Sequence, residues 1–308
     1  MKPHIEKFLY LFLITILLLA CNFASQTAAT ATGGESPTSL SASTAPVIAS
    51  STATLPAPTQ TPDPDAKTVT FNNISFVIPS PLAQNATSKI ISAVTTDKSK
   101  PWLIAPQYIQ ITLSGYVTPK GSYLSPQIFI YPAQDYANVN SGANTSLQRL
   151  KTILADPSTP LTNDSLPWLP DTLGEQSIAA QAKIIPFKNG NGVRALTQYD
   201  IFLDPVITAP GDPIINRLLF YHFEGLSSDG STYIIAVLPL QSPILANDPD
   251  PNAPVPAAGI PYPGLGTDTA HFDYFKSVTD QLEAQSEDSF DPSLNLLDAL
   301  IASIEISP

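Results

Sequence analysis

The chain has 308 residues, one cysteine, and 14 basic side chains against 26 acidic ones, for a net charge of −12. A lone cysteine excludes an internal disulfide framework and a metal cluster held by four thiolates, and the acidic excess disfavours binding to the phosphate backbone of nucleic acid. The length suffices for one large domain or two small ones.

The first element is a leader. Lys2 and Lys7 precede the apolar run from Phe8 to Leu19, which ends in Ala20 and Cys21. This is the charged n-region and short h-region of a secretory signal. At about 13 residues the run falls short of the roughly 20 that a bilayer-spanning helix needs. Leu18, Leu19, Ala20 and Cys21 resemble the lipobox of bacterial lipoproteins, with Leu19 where a small or β-branched residue is more usual. The resemblance implies that residues 1–20 are a signal peptide and that the Cys21 thiol carries a diacylglyceryl group. Each buried acyl methylene contributes about 0.8 kcal/mol, and two or three chains on one cysteine satisfy the need for more than one chain. The expected location is therefore extracytoplasmic, with the membrane as a partner through the anchor.

Residues 21–66 follow as the lipidated cysteine and a tether rich in Ser, Thr, Ala and Pro, without a basic residue. Such a segment buries too little apolar surface to offset about 1–2 kcal/mol of ordering entropy per residue, so it is expected to be disordered. As a coil of about 45 residues it would reach roughly 35–40 Å.

Residues 67–308 are predicted to form a single α+β globular domain, a mainly antiparallel sheet with helices packed on it. Strands are expected at 68–71 and 74–78 around an Asn72-Asn73 turn, at 107–116 and at 125–131. Helical spacing is seen from Pro81 to Val94, through Leu82, Ala86 and Ile90, and from Ser146 to Leu154, through Leu147 and Leu150. A hairpin then runs from Gln181 to Phe187, turns through Lys188–Gly192, and returns from Val193 to Leu203 as a half-exposed strand with Arg194, Gln198 and Asp200 outward. A second hairpin joins 216–226 to 232–238 through Ser227–Gly230. Both of its faces are apolar, which places it at the centre of the sheet with cover on each side. An acidic helix is expected between Asp268 and Asp288, with Phe272, Phe275, Val278 and Leu282 as its stripe. Asp291 and Pro292 are read as the N-cap and first residue of a helix carrying Leu294, Leu297, Leu300 and Ile301, with a short strand at Ile304. The order of elements resembles PsbP-like domains in outline, and no residue is carried across from them.

Catalytic signatures are absent: the chain has no G-x-S-x-G, H-E-x-x-H, Walker A or strand-placed G-x-G-x-x-G. No catalytic residue, cofactor or metal site is assigned. His222 and Glu224 share a strand face. They read either as an acid/base pair or as a core histidine beside a carboxylate at the strand's exposed end, and the second is favoured because no nucleophile or metal partner lies at a recognisable spacing. His271, near a helix start, is expected at the surface.

Residues 238–266 form a long segment with eight prolines, from Pro239 to Pro263. Loops of this length are usually functional or disordered, and proline lowers the entropy lost on ordering. The segment is expected to be an ordered surface flap, with Tyr262, Asp248 and Asp250 as binding residues. Asp248, Asp250 and Asn252 have the spacing that opens a calcium loop, but Ala253 and Gly259 stand where glycine and glutamate are needed, so it is not an EF-hand. The resulting expectation is a non-catalytic, lipid-anchored domain that binds an envelope protein or glycan. A solute- or ion-binding lipoprotein serving a membrane complex is the second reading, and a hydrolase the third.

Overall fold

The computed structural model describes residues 63–96, 100–170, 174–199, 212–248, 250, 252–264 and 269–307, all within one compact unit spanning 60–308. The signal peptide, Cys21, nearly all of the tether and Asp200–Leu203 lie outside the described residues.

Alternating apolar residues with both faces buried build the centre of the main sheet. Strand β8 (Phe220–Ser227) is buried along its whole length, and β9 (Thr232–Pro239) along all but its first residue. The two pair antiparallel through the Ser227–Gly230 turn, where Gly230 takes a φ of +73°. Outward on one side lie β7 (Gly190–Thr197) and β6 (Ala180–Phe187). On the other lie β5 (Gln127–Pro132), β4 (Tyr108–Ser114) and β3 (Asn85–Ile91). The order is β3-β4-β5-β9-β8-β7-β6, antiparallel throughout. A second, three-stranded sheet joins β1 (Lys67–Phe71), β2 (Ile74–Ile78) and β10 (Glu305–Ile306) in the order β1-β2-β10.

Both faces of the large sheet are covered. Tyr131, Val193, Phe220, Tyr233 and Ile235 pack against Tyr136 of α1 (Ala133–Val139) and against Leu147, Leu150 and Ile153 of α2 (Ser141–Ala155). Asn140 caps α2 by accepting the Ala143 N–H at 3.0 Å, the usual role of asparagine there. On the opposite face, Leu196, Tyr221, Phe223, Ile234 and Leu238 meet Phe76 of β2, Val278 and Leu282 of α3 (Thr269–Glu283), and Leu297 of α4 (Leu294–Ala302). The fold is α+β, with two antiparallel sheets and four helices packed on them.

Several local expectations are corrected. The segment 81–94 is not a helix: Leu82 is buried in a turn, and Asn85–Ile91 pairs with β4 as the outermost strand, leaving Ile90 57% exposed. Asn85, Thr87 and Ser88 are weak helix formers, and pairing with a neighbour outweighs the helical spacing. Strand β7 is not half exposed. Arg194 and Gln198 are both 1% exposed, because Arg194 is paired with carboxylates while Gln198 donates to Pro213 O and accepts from Ile215 N. Its turn is also shorter, with Gly190 and Gly192 already in the strand. Asn216 precedes β8 rather than belonging to it. In α3 the buried stripe is His271, Tyr274, Val278 and Leu282, with Phe272 outside at 66% exposure. The N-cap of α4 is Ser293, whose hydroxyl accepts from Leu296 N, and Asp291 instead pairs its backbone with Gln241.

Candidate functional site

His222 and Glu224 project from β8 toward α1 and α2. The His222 Nε2 lies 3.0 Å from Glu224 Oε1, close enough for an ion pair but poorly aligned for a hydrogen bond. The Tyr233 hydroxyl donates to Glu224 Oε2. Burial, and then the nearby carboxylate of Glu224, pushes the Tyr233 hydroxyl well above the usual tyrosine range. The rings of Phe220 and Tyr199 lie 6.0 and 6.4 Å from the imidazole. Glu224 is 1% exposed, which corrects its expected place at an exposed strand end. A carboxylate in this position is fixed by its neighbours inside an aromatic core, and neither residue lines any of the recesses described below.

The flap brings Tyr262, Asp248 and Asp250 to one recess against α3, together with Tyr274 and Gln281, but its volume is about 20 Å³. That is room for a single water. Tyr262 is half-buried and packs edge-on against His271 and Tyr274 at 6.1 and 5.2 Å, so it anchors the flap. His271 is buried rather than at the surface, because the flap and Phe275 enclose its ring. Burial also pushes the Tyr274 hydroxyl up to about 12. Asp248 and Asp250 are exposed and turn back on their own chain: Asp250 N donates to Asp248 Oδ1 and Asn252 N to Asp250 Oδ1, each at 2.9 Å. These Asx turns account for the aspartate spacing. Among the described residues no group of three His, Cys, Asp or Glu could hold a metal ion.

A second recess, of about 310 Å³, opens at the root of the flap. Its floor is Asn216, Ser242 and Leu245, all buried, and Pro243, Asn247 and Asp291 form an exposed rim. Asn216 organises it. Its Nδ2 donates to Ser242 O, Leu245 O and Asn247 Oδ1 at 3.1, 2.9 and 3.1 Å, and its Oδ1 accepts from Ser242 N at 2.7 Å. Across the rim Gln241 Nε2 donates to Asp291 Oδ2 at 2.8 Å. The Ser242 hydroxyl, in a residue 1% exposed, has no hydrogen-bond partner among the described residues. Sequence reading missed Asn216 and Ser242, since Asn216 looked like the start of a strand and Ser242-Pro243 like an ordinary turn.

A wider groove of about 740 Å³ lies at the β8–β9 turn, beside Lys188, Asn189, Asp229 and Glu305. Its polar groups are largely engaged with one another. Asp229 accepts from the Ser227 and Ser231 hydroxyls, and Asn189 is bonded at both side-chain atoms to the Ile306 backbone. No protein-family model, curated protein or solved structure matches this chain.

Proposed function

We propose that this chain is a non-catalytic binding domain, held on the extracytoplasmic side of a bacterial membrane by lipid on Cys21, that engages an envelope component through its flap. The observation that carries the binding half is the recess rooted on Asn216. One buried side chain ties together the backbone of Ser242 and Leu245 in its floor and reaches Asn247 at its open rim. Preorganised groups of this kind lower the ordering cost of binding. The anchoring half rests on the lipobox-like leader and on Cys21 as the chain's one thiol.

Two measurements test the halves separately. The N-terminal fragment of the mature protein should have the mass of a lipidated cysteine, and Cys21→Ser should move the protein from the membrane fraction to the soluble one. An unmodified thiol, or a variant that stays equally membrane-bound, overturns the anchor. Deleting residues 247–258 should leave a cooperative unfolding transition while abolishing co-sedimentation of the Cys21→Ser chain with purified envelope fragments. Undiminished co-sedimentation overturns the role of the flap.

A further inference from the structure

We infer that the recess rooted on Asn216 and Ser242 takes a neutral, polyhydroxylated ligand, a saccharide unit, rather than an anion or a bare cation. This rests on the binding reading above and names its ligand class. The volume of about 310 Å³ falls at the lower end of small-molecule sites, about 300–1,000 Å³, which suits one or two sugar rings.

The lining chemistry makes the selection. Among the described residues it contains no Lys, Arg or His, so a phosphate or carboxylate would be desolvated without a charge-assisted donor. Asp291 is the one carboxylate among the described residues that line it, and one of its oxygens already accepts from Gln241. A calcium ion seeking about six to eight oxygen ligands finds too few there. The amides of Gln241 and Asn247 and the Ser289 hydroxyl remain at the rim, a mixture of donors and acceptors that matches sugar hydroxyls. The Ser242 hydroxyl is enclosed beneath the floor, out of reach of a ligand, so the polar groups that face a ligand are those of the rim. Pro243, Leu245 and Pro256 supply apolar surface for the C–H face of a ring. The lining has no aromatic platform, so affinity for a single unit should be weak, in the millimolar range, and a repeating polymer would gain by avidity.

Backbone amide NMR of the full-length Cys21→Ser chain tests this, with titrations of glucose, N-acetylglucosamine and N-acetylglucosamine oligomers beside inorganic phosphate and calcium chloride. Saccharide should shift the amides of Asn216, Gln241, Ser242 and Asn247 in a saturable way. Ser289→Trp, which fills the recess from its rim, should abolish the shifts, and Asp291→Asn should weaken binding by about tenfold, the loss of one charge-assisted hydrogen bond. If Asp291→Asn fails to fold, Ser289→Trp still decides the matter. Oligomers that bind tighter per site than the monomer identify a polymeric glycan, and equal binding identifies a free sugar solute. Absence of saccharide shifts at these amides, or saturable shifts by phosphate or calcium in their place, overturns the inference. Should saccharides fail while deletion of 247–258 still abolishes envelope binding, the ligand class falls and the binding reading stands.

Discussion

Arg194 shows how one buried side chain ties a sheet to what covers it. From β7 it reaches Glu287 at 2.6 Å and Asp298 of α4 at 3.0 Å, and the Tyr221 hydroxyl donates to the same Asp298 oxygen at 2.9 Å. Arg194→Ala leaves Glu287 and Asp298 with Lys183 as their cation, at 3.0 and 3.8 Å, so it should cost up to about 3 kcal/mol in urea unfolding, the lower end for breaking a buried pair. Burial raises the Asp298 carboxyl above its usual range, with Arg194 opposing the shift. A raised carboxyl contributes stability that is complete below its unfolded pKa and is lost as pH rises through the folded one. Asp229 behaves in the opposite sense. Hydrogen bonds from the Ser227 hydroxyl, then from the Ser231 amide and hydroxyl, lower it from 3.8 to about 2. Its contribution is therefore present above the unfolded value and lost as pH falls through about 2. Carboxyl NMR titration should place its midpoint there, and Ser227→Ala should move the midpoint upward; a midpoint near 3.8 in the parent would contradict the turn geometry.

At the scale of elements, the flap is held by a few aromatic edges and by Asn216 rather than by a sheet of its own. Tyr262→Ala removes the edge-on packing against His271 and Tyr274, interactions worth about 0.5–1.5 kcal/mol each. It should speed amide exchange and proteolysis between 244 and 262 while leaving the central strands protected. Exchange that stays unchanged in the flap would show that the Asn216 bonds and the buried Ile244 and Leu245 hold it without Tyr262. The central hairpin should respond differently. Ile235, 3% exposed on β9, should lose about 2–5 kcal/mol on replacement by alanine, as buried large-to-small changes do.

Across the whole molecule, two cores lie on opposite faces of one sheet, so β8 and β9 are covered twice and flanked on both edges. Opening them requires disrupting both cores. Hydrogen exchange should therefore be slowest in β8 and β9 and fastest, among the strands of the large sheet, in the outermost β3, whose side chains are mostly exposed. Exchange in β3 as slow as in β8 would mean that something covers its open edge. Among the described residues no helix is long and apolar enough to cross a membrane.

The sequence determined the class of the fold and its centre because those depend on local period. The apolar runs of β8 and β9 on either side of the Asp229-Gly230 turn mark a buried hairpin, and the stripe of Leu294, Leu297, Leu300 and Ile301 marks a helix. It also showed that 238–266 was unusual, through length and proline alone. What it could not show were burials created by a partner distant in the chain. Arg194 looks exposed until Asp298 and Glu287 are brought to it, and 81–94 looks helical until β4 offers it an edge. Tyr262, Asp248 and Asp250 stood out by composition, and the structure places them in the flap's packing and turns. The recess with the better claim to a ligand is assembled from Asn216, from Ser242 and Asn247, and from Asp291, three segments far apart in sequence. Only tertiary structure brings them together, because one asparagine's hydrogen bonds, and not any local pattern, hold that floor in place.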